Sequence, residues 1–215
     1  MTAQLLWKIV GRILYRTYFR GRVVGRQHVP AEGGVIVAPN HISNLDPPIV
    51  GCQFWRHHYT VGKRELFRAP LAAMILRQWG ALPVNRSRPG KELFADLVGY
   101  LQAGEALVLF PEGTRSRDGR LGKAQRGVAM LALAARVPVV PAFVKGSRRA
   151  MPRGAYLPRP FRVTVAFGPP IWPEDFTHLV DRHGRPVSDR RAQEVLTERV
   201  MAAIRGLAHD LGEEA

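Results

Sequence analysis

The chain has 215 residues, a length that suits one domain with a full core of its own. Hydrophobic residues make up 46% and charged residues 23%, which excludes a disordered chain. Thirty-two Lys and Arg against seventeen Asp and Glu give +15, so the expected partners are anionic: phospholipid headgroups, phosphorylated molecules or nucleic acid. The single cysteine, Cys52, forms no internal disulfide and points to a reducing compartment. It reads as a small apolar residue, since no His accompanies it in a thiol-enzyme signature.

Residues 1–21 come first. Leu5, Leu6, Ile9, Val10, Ile13 and Leu14 recur at helical spacing, while Lys8, Arg12, Arg16 and Arg20 fall every four residues as a basic edge. This predicts an amphipathic helix lying in the headgroup plane, its basic residues facing anionic lipid. A helix packed on its own domain shows the same pattern. The chain contains no uncharged apolar run of 18 residues or more, so no spanning helix is expected. Lys8, Arg12 and Arg16 interrupt any signal-peptide core. The expected location is therefore peripheral or monotopic, on the cytoplasmic face of the cell membrane.

Residues 22–211 alternate between strand and helix patterns. Strands are predicted at 34–38, 58–61, 82–84, 106–110, 137–144 and 161–167, the last with one wet face. Helices are predicted at 65–78, 93–101, 124–135 and 195–207, with Gly104 ending the second. The stretch 147–160, rich in Pro and Arg, reads as a loop. The fold class that follows is α/β: a single domain with a mixed sheet between helices, preceded by the N-terminal amphipathic helix.

Two compact polar segments follow two apolar strands, where open α/β sheets place ligands. In Pro39-Asn40-His41-Ile42-Ser43-Asn44-Leu45-Asp46-Pro47, His41 and Asp46 are too far round a regular helix to meet, at about 140°. The Asn and Pro residues favour a turn, and there Asp46 reaches His41. A carboxylate on one imidazole nitrogen leaves the other free to take a proton from a hydroxyl. The same residues also suit a turn whose Asn, Ser and Asp merely cap backbone. The second segment, Phe110-Pro111-Glu112-Gly113-Thr114-Arg115-Ser116, carries an Arg shaped for two-point phosphate binding. Glu112 there would hold an Arg or the polar end of a substrate. A plain turn with a solvated Arg is the other reading.

Together the segments resemble the glycerolipid acyltransferase family, which contains the 1-acylglycerol-3-phosphate acyltransferases. That family has an Asn-preceded His-x4-Asp block, here Asn40-His41 to Asp46, and a Phe-Pro-Glu-Gly-Thr-Arg-Ser block, matched at all of 110–116. Its second block resembles Gly80 to Arg86, although Ala81 and Pro83 stand where larger apolar residues are usual. Its fourth block resembles Val137 to Pro141. Lys63-Arg64-Glu65-Leu66 and Phe167-Gly168-Pro169-Pro170-Ile171 resemble its flanking segments. After the third block the family's Phe-Lys-Lys-Gly is replaced by Lys123-Ala124-Gln125-Arg126-Gly127.

The resemblance implies an enzyme that moves a fatty acyl group from acyl-CoA or acyl carrier protein to a lysophospholipid hydroxyl, most simply the sn-2 hydroxyl of lysophosphatidic acid. His41 would be the general base and Asp46 its orienting partner. Arg115, with Arg86, would hold the acceptor phosphate, Glu112 and Gly113 would shape its site, and Lys63, Thr114 and Arg126 would also bind substrate. No metal or cofactor is implied, the acyl thioester being a substrate. His28, His57, His58, His178, His183 and His209 read as surface or structural. Arg148, Arg149, Arg153 and Arg159 suit lipid headgroups, the nucleotide end of CoA, or plain solvent. Relatives acylating glycerol 3-phosphate, other lysolipids or glycolipids share these blocks, so the acceptor stays open among them. Against a nucleic-acid binder stands the absence of any helix-turn-helix, zinc or aromatic RNA-binding signature. Against a thioesterase stands the absence of a Gly-x-Ser-x-Gly elbow. Against an inactive scaffold stand the intact His41 and Asp46.

Overall fold

The computed structural model describes residues 3–84, 90–177 and 188–213. In chain order these form α1 (Ala3–Thr17), β1 (Arg22–Val24), a 3-10 turn (Arg26–His28), β2 (Val35–Pro39), α2 (Asp46–Gly51) and β3 (His58–Lys63). A second 3-10 turn (Arg64–Phe67), α3 (Pro70–Gln78), β4 (Ala81–Val84), α4 (Lys91–Gln102), β5 (Ala106–Val108) and α5 (Gly127–Ala135) follow. The chain continues through β6 (Val139–Lys145), α6 (Ser147–Ala150), β7 (Thr164–Phe167), α7 (Glu174–Thr177) and α8 (Asp189–Asp210).

The strands make one mixed sheet in the order β1-β7-β6-β2-β5-β3-β4. From β6 to β4 every pair is parallel; β7 runs antiparallel to β6, and β1 parallel to β7. The central strands are buried throughout, as the unbroken apolar runs Val35–Pro39 and Ala106–Val108 require. Side chains alternate across the sheet. Ile36 and Leu107 join Leu97, Leu101, Val128, Leu196 and Ile204, from α4, α5 and α8, on one face. Val35, Val37 and Val108 join Tyr15, Phe19, Ile49 and Val50, from α1, the residues after it and α2, on the other.

Several local expectations change. The helix expected over 65–78 is divided, because Pro70 lacks an N–H and starts α3 afresh behind the 3-10 turn. The strand expected over 161–167 begins at Thr164, and all four of its residues are buried. Its wet face is missing because both faces are covered: Val165 and Phe167 pack with Tyr15 and Phe19, and Thr164 and Ala166 on the opposite face are buried as well.

The first helix forms as expected but faces the other way round. Its buried side carries Gln4, Lys8, Arg12 and Tyr15, and Phe19 beyond it continues that side; Lys8 is 4% exposed and Arg12 7%. Its apolar residues face out, with Leu6 51%, Ile13 57% and Leu14 51% exposed. The Lys8 ammonium donates to the carbonyls of Phe54 (3.1 Å) and Arg56, and Arg12 Nε donates to that of Cys52 (2.8 Å). The Arg12 guanidinium also covers the Trp55 ring at 3.5 Å. These carbonyls lie at and just beyond the C-terminal end of α2, where unpaired acceptors and the helix dipole favour cations. The basic edge expected to face lipid is therefore halved: Lys8 and Arg12 bind the domain, while Arg16 and Arg20 stay exposed. Burial pushes the Lys8 amine down to about 7.

Candidate active site

Strands β2 and β5 are parallel neighbours, paired Val35 to Ala106 and Val37 to Val108. Their carboxyl ends therefore deliver the two polar segments side by side. The chain turns after β2, and Asp46-Pro47-Pro48 opens α2, with proline in the first turn where its missing N–H costs nothing. The turn brings Asp46 Oδ2 to 3.0 Å from His41 Nδ1. The same oxygen accepts the backbone N–H groups of Ile42 and Ser43, each at 2.7 Å. Asp46 has no exposed surface. The dyad and the capped turn are thus one arrangement: the carboxylate caps the backbone and holds the imidazole with the same atom.

The carboxylate makes Nδ1 of His41 the protonated nitrogen and leaves the lone pair on Nε2. Nε2 makes no hydrogen bond among the described residues. The ring stacks on Phe110, with centroids 4.0 Å apart and planes 25° from parallel.

Two further bonds join the segments: Glu112 Oε1 accepts the His41 N–H at 2.9 Å, and the Ser116 N–H donates to the His41 carbonyl at 2.8 Å. The other Glu112 oxygen, Oε2, accepts the Gly122 N–H at 2.8 Å. Glu112 is 5% exposed. Burial raises its pKa above the ordinary value, against the pull of its two backbone donors. The expectation that Glu112 holds an Arg gives way to a different role, since both of its oxygens engage main chain. Asn40 pairs with Val144 of β6 in the manner of a strand residue, its Oδ1 accepting the N–H at 2.7 Å and its Nδ2 donating to the carbonyl at 3.3 Å.

Beside the dyad opens a cavity of about 470 Å³, walled in part by Glu112 and Ser116, which both bond the His41 main chain. Six cations line it: Lys63, Arg115, Arg117, Arg120, Lys123 and Arg153. Its two acids are already hydrogen-bonded and leave the cations in excess. Glu112 binds backbone, and Asp118 is kept ionised by the Arg120 N–H and then by the Ser116 hydroxyl. Such a cavity attracts a phosphate strongly.

Of the residues expected to bind substrate, Lys63, Glu112, Thr114 and Arg115 line this cavity. Gly113 makes the turn between them with φ 67°. Arg126 is exposed at the start of α5, outside the lining. Arg86, His178 and His183 lie outside the described residues. Among the other histidines, His58 is buried, His28 bonds the Phe167 carbonyl at 2.9 Å, His57 pairs with Glu105 at 3.0 Å, and His209 is exposed. Burial pushes the Cys52 thiol up to about 12, which suits an inert core residue. Sequence reasoning missed Ser147, whose hydroxyl donates to Asp46 Oδ1 at 2.5 Å from 101 positions away.

A mixed α/β sheet with a buried His–Asp pair beside a cationic cavity at its strand ends is a setting for transfer to a hydroxyl. The family model described as Acyltransferase matches residues 20–145, and the chain belongs to this family. It is 31% identical over 159 residues to a 1-acyl-sn-glycerol-3-phosphate acyltransferase of Limnanthes douglasii, covering 73% of this chain and 56% of that protein. It is 29% identical over 195 residues to a protein of the same name from Bacillus subtilis, covering 89% of this chain and 90% of that one. The crystal structure of the 1-acyl-sn-glycerophosphate (LPA) acyltransferase PlsC from Thermotoga maritima shares the fold. Its TM-score is 0.68 at 23% identity, over 93% of this chain and 78% of that one.

Proposed function

We propose that the protein transfers a fatty acyl group from an acyl thioester to the sn-2 hydroxyl of 1-acylglycerol 3-phosphate, forming phosphatidic acid. The observation that carries this reading is the His41–Asp46 pair beside a cavity with six cationic side chains. The names of the Limnanthes and Bacillus relatives support the same acceptor. Nε2 of His41 takes the hydroxyl proton as that oxygen attacks the thioester carbonyl, and Asp46 steadies the imidazolium. The tetrahedral intermediate collapses with loss of the thiolate, which takes the proton from His41 and leaves as free CoA or carrier thiol. Lys63 and Arg115 hold the acceptor phosphate. No covalent acyl-enzyme and no cofactor is needed.

The outward apolar face of α1 supports work at a membrane surface. No helix among the described residues is long and apolar enough to cross a bilayer. With Lys8 and Arg12 turned into the domain, Leu6, Val10, Ile13 and Leu14 are left for the acyl region, and exposed Arg16 and Arg20 for anionic headgroups.

The test is reconstitution in liposomes with acyl-CoA and 1-acylglycerol 3-phosphate, following thiol release and diacyl product together. The expected result is matched thiol and phosphatidic acid, with His41→Ala lowering the rate by at least ~10²-fold. Thiol release without diacyl product, or product on glycerol 3-phosphate alone, would overturn the acceptor assignment. An undiminished rate in His41→Ala would overturn the mechanism.

A further inference from the structure

We propose that Ser147 is a positioning residue of the active site, the third member of a relay from Ser147 through Asp46 to His41. The inference rests on the mechanism above and adds to it a residue outside the sequence blocks that carry the family resemblance.

The Asp46 carboxylate divides its work between its oxygens. Oδ2 serves His41 and the two backbone groups of the turn. Oδ1 faces the Ser147 hydroxyl at 2.5 Å, a short charge-assisted bond. Both partners have no exposed surface, so water does not replace either. Without this fourth donor, Oδ1 would be a buried charged oxygen lacking a hydrogen bond, and the carboxylate would be held at Oδ2 alone, with one restraint fewer on its last torsion. A tilt about that torsion shifts Oδ2 against the imidazole, and the orientation of Nε2 with it.

The chain is built to put this hydroxyl there. Asn40, next to His41, clamps Val144 at the end of β6 through both of its main-chain groups. Gly146 then turns the chain in the left-handed region at φ 88°, where a Cβ would collide with the Arg162 carbonyl. That turn delivers Ser147 to Asp46. Four residues on, the Met151 carbonyl accepts from the Ser43 hydroxyl at 2.9 Å. The segment 144–151 is thus fastened to the His–Asp turn at three points, Asn40, Asp46 and Ser43, and only the middle one touches the carboxylate.

The experiment compares Ser147→Ala, Ser147→Thr and His41→Ala in the liposome assay, with folding checked by circular dichroism and thermal melts. Ser147→Ala should lower kcat about tenfold, the scale of one hydrogen bond to a charged group, with KM for the acceptor within about twofold of wild type. Ser147→Thr, which keeps the hydroxyl, should recover most of that loss. A Ser147→Ala kcat within twofold of wild type would overturn the relay while leaving the His41 mechanism standing, provided His41→Ala is inactive. A loss that appears in KM, or that Ser147→Thr shares in a folded protein, would assign Ser147 to packing and overturn the relay. Full activity in His41→Ala would remove both.

Discussion

Replacing Asp46 with Asn separates the charge of the carboxylate from its geometry. In the serine-protease triad the same exchange costs about 10⁴-fold, because the amide presents its NH2 to the imidazole and selects the wrong tautomer. Here the main chain forbids that. Oδ2 accepts two backbone N–H groups at 2.7 Å besides His41. An NH2 in that place would face three donors, so the amide oxygen must take it. The NH2 then lies toward Ser147, whose hydroxyl turns from donor to acceptor. The tautomer of His41 survives, and only the attraction between carboxylate and nascent imidazolium is lost. At about 4 Å between charge centres and an effective dielectric of 20, that attraction is about 4 kcal/mol at full charge. A partly formed charge and the remaining amide dipole bring the loss to about 2–4 kcal/mol, or roughly 30- to 1,000-fold in kcat. Asp46→Ala, by contrast, strands the N–H groups of Ile42 and Ser43 at about 1–3 kcal/mol each, and should destabilise the fold as well. Steady-state kinetics beside His41→Ala, with thermal melts, separate these cases. A fully folded Asp46→Asn slowed by about 10⁴-fold, the cost of the wrong tautomer in the protease triad, would refute the tautomer argument. A loss under threefold would refute any role for the charge.

Glu112→Gln puts an NH2 against the N–H of His41 or Gly122; at about 1–3 kcal/mol it should lower Tm by about 2–12 °C and slow turnover, and a thermal scan matching wild type would count against the clip. Ile13→Asp with Leu14→Glu, both at exposed positions, should leave Tm nearly unchanged yet cut binding to anionic vesicles at least ~10-fold, since each charge opposes insertion; equal co-sedimentation of variant and wild type would remove α1 from the membrane reading. Lys8 gives a pH signature. Between about 7 and its ordinary 10.5 the unfolded chain holds a proton that the folded one lacks, so stability rises with pH by up to about 1.4 kcal/mol per unit, and is lower once pH falls through 7. Urea midpoints from pH 7 to 9 should climb in wild type and flatten in Lys8→Met; parallel curves would refute it.

What the sequence made legible was whatever local pattern decides. The runs Gly34–Ala38 and Ala106–Phe110 read as strands and overlap β2 and β5, with β5 ending two residues early, and the polar segments after them lie at one end of the sheet. Asn and Pro around His41 argued for a turn, and the turn is there. Strand β1 escaped because three residues are too few for alternation to show, and its pairing with β7 is set by distant chain. Glu112 read as a partner for an Arg or for the polar end of a substrate, but the chain after β5 aims it at the main chain of His41 and Gly122 instead. Ser147 carries no local signal, since its meaning lies in a contact made through the clamp of Asn40 on Val144. For α1 a helical wheel gives two faces and not which of them the domain covers. That choice is made by the carbonyls after α2, which no pattern within residues 1–21 could announce.

The covering of that helix ties the surface of the molecule to its chemistry. Helix α2 has six residues, begins with Asp46, and is followed at once by the Cys52 carbonyl that Arg12 binds. At 1.5 Å per residue, the dyad carboxylate stands about 9 Å along the axis from the contact with α1. A cation at one end of so short a helix and an anion at the other oppose the two ends of its dipole, so the same element favours both contacts. On the proposed orientation, with Leu6, Val10, Ile13 and Leu14 among acyl chains, α2 joins the dyad to the inner side of the membrane-facing helix. On the function proposed above, an acceptor hydroxyl one carbon from the phosphate-bearing carbon would meet Nε2 with its phosphate at Lys63 and Arg115, beside the Asp46 end of α2.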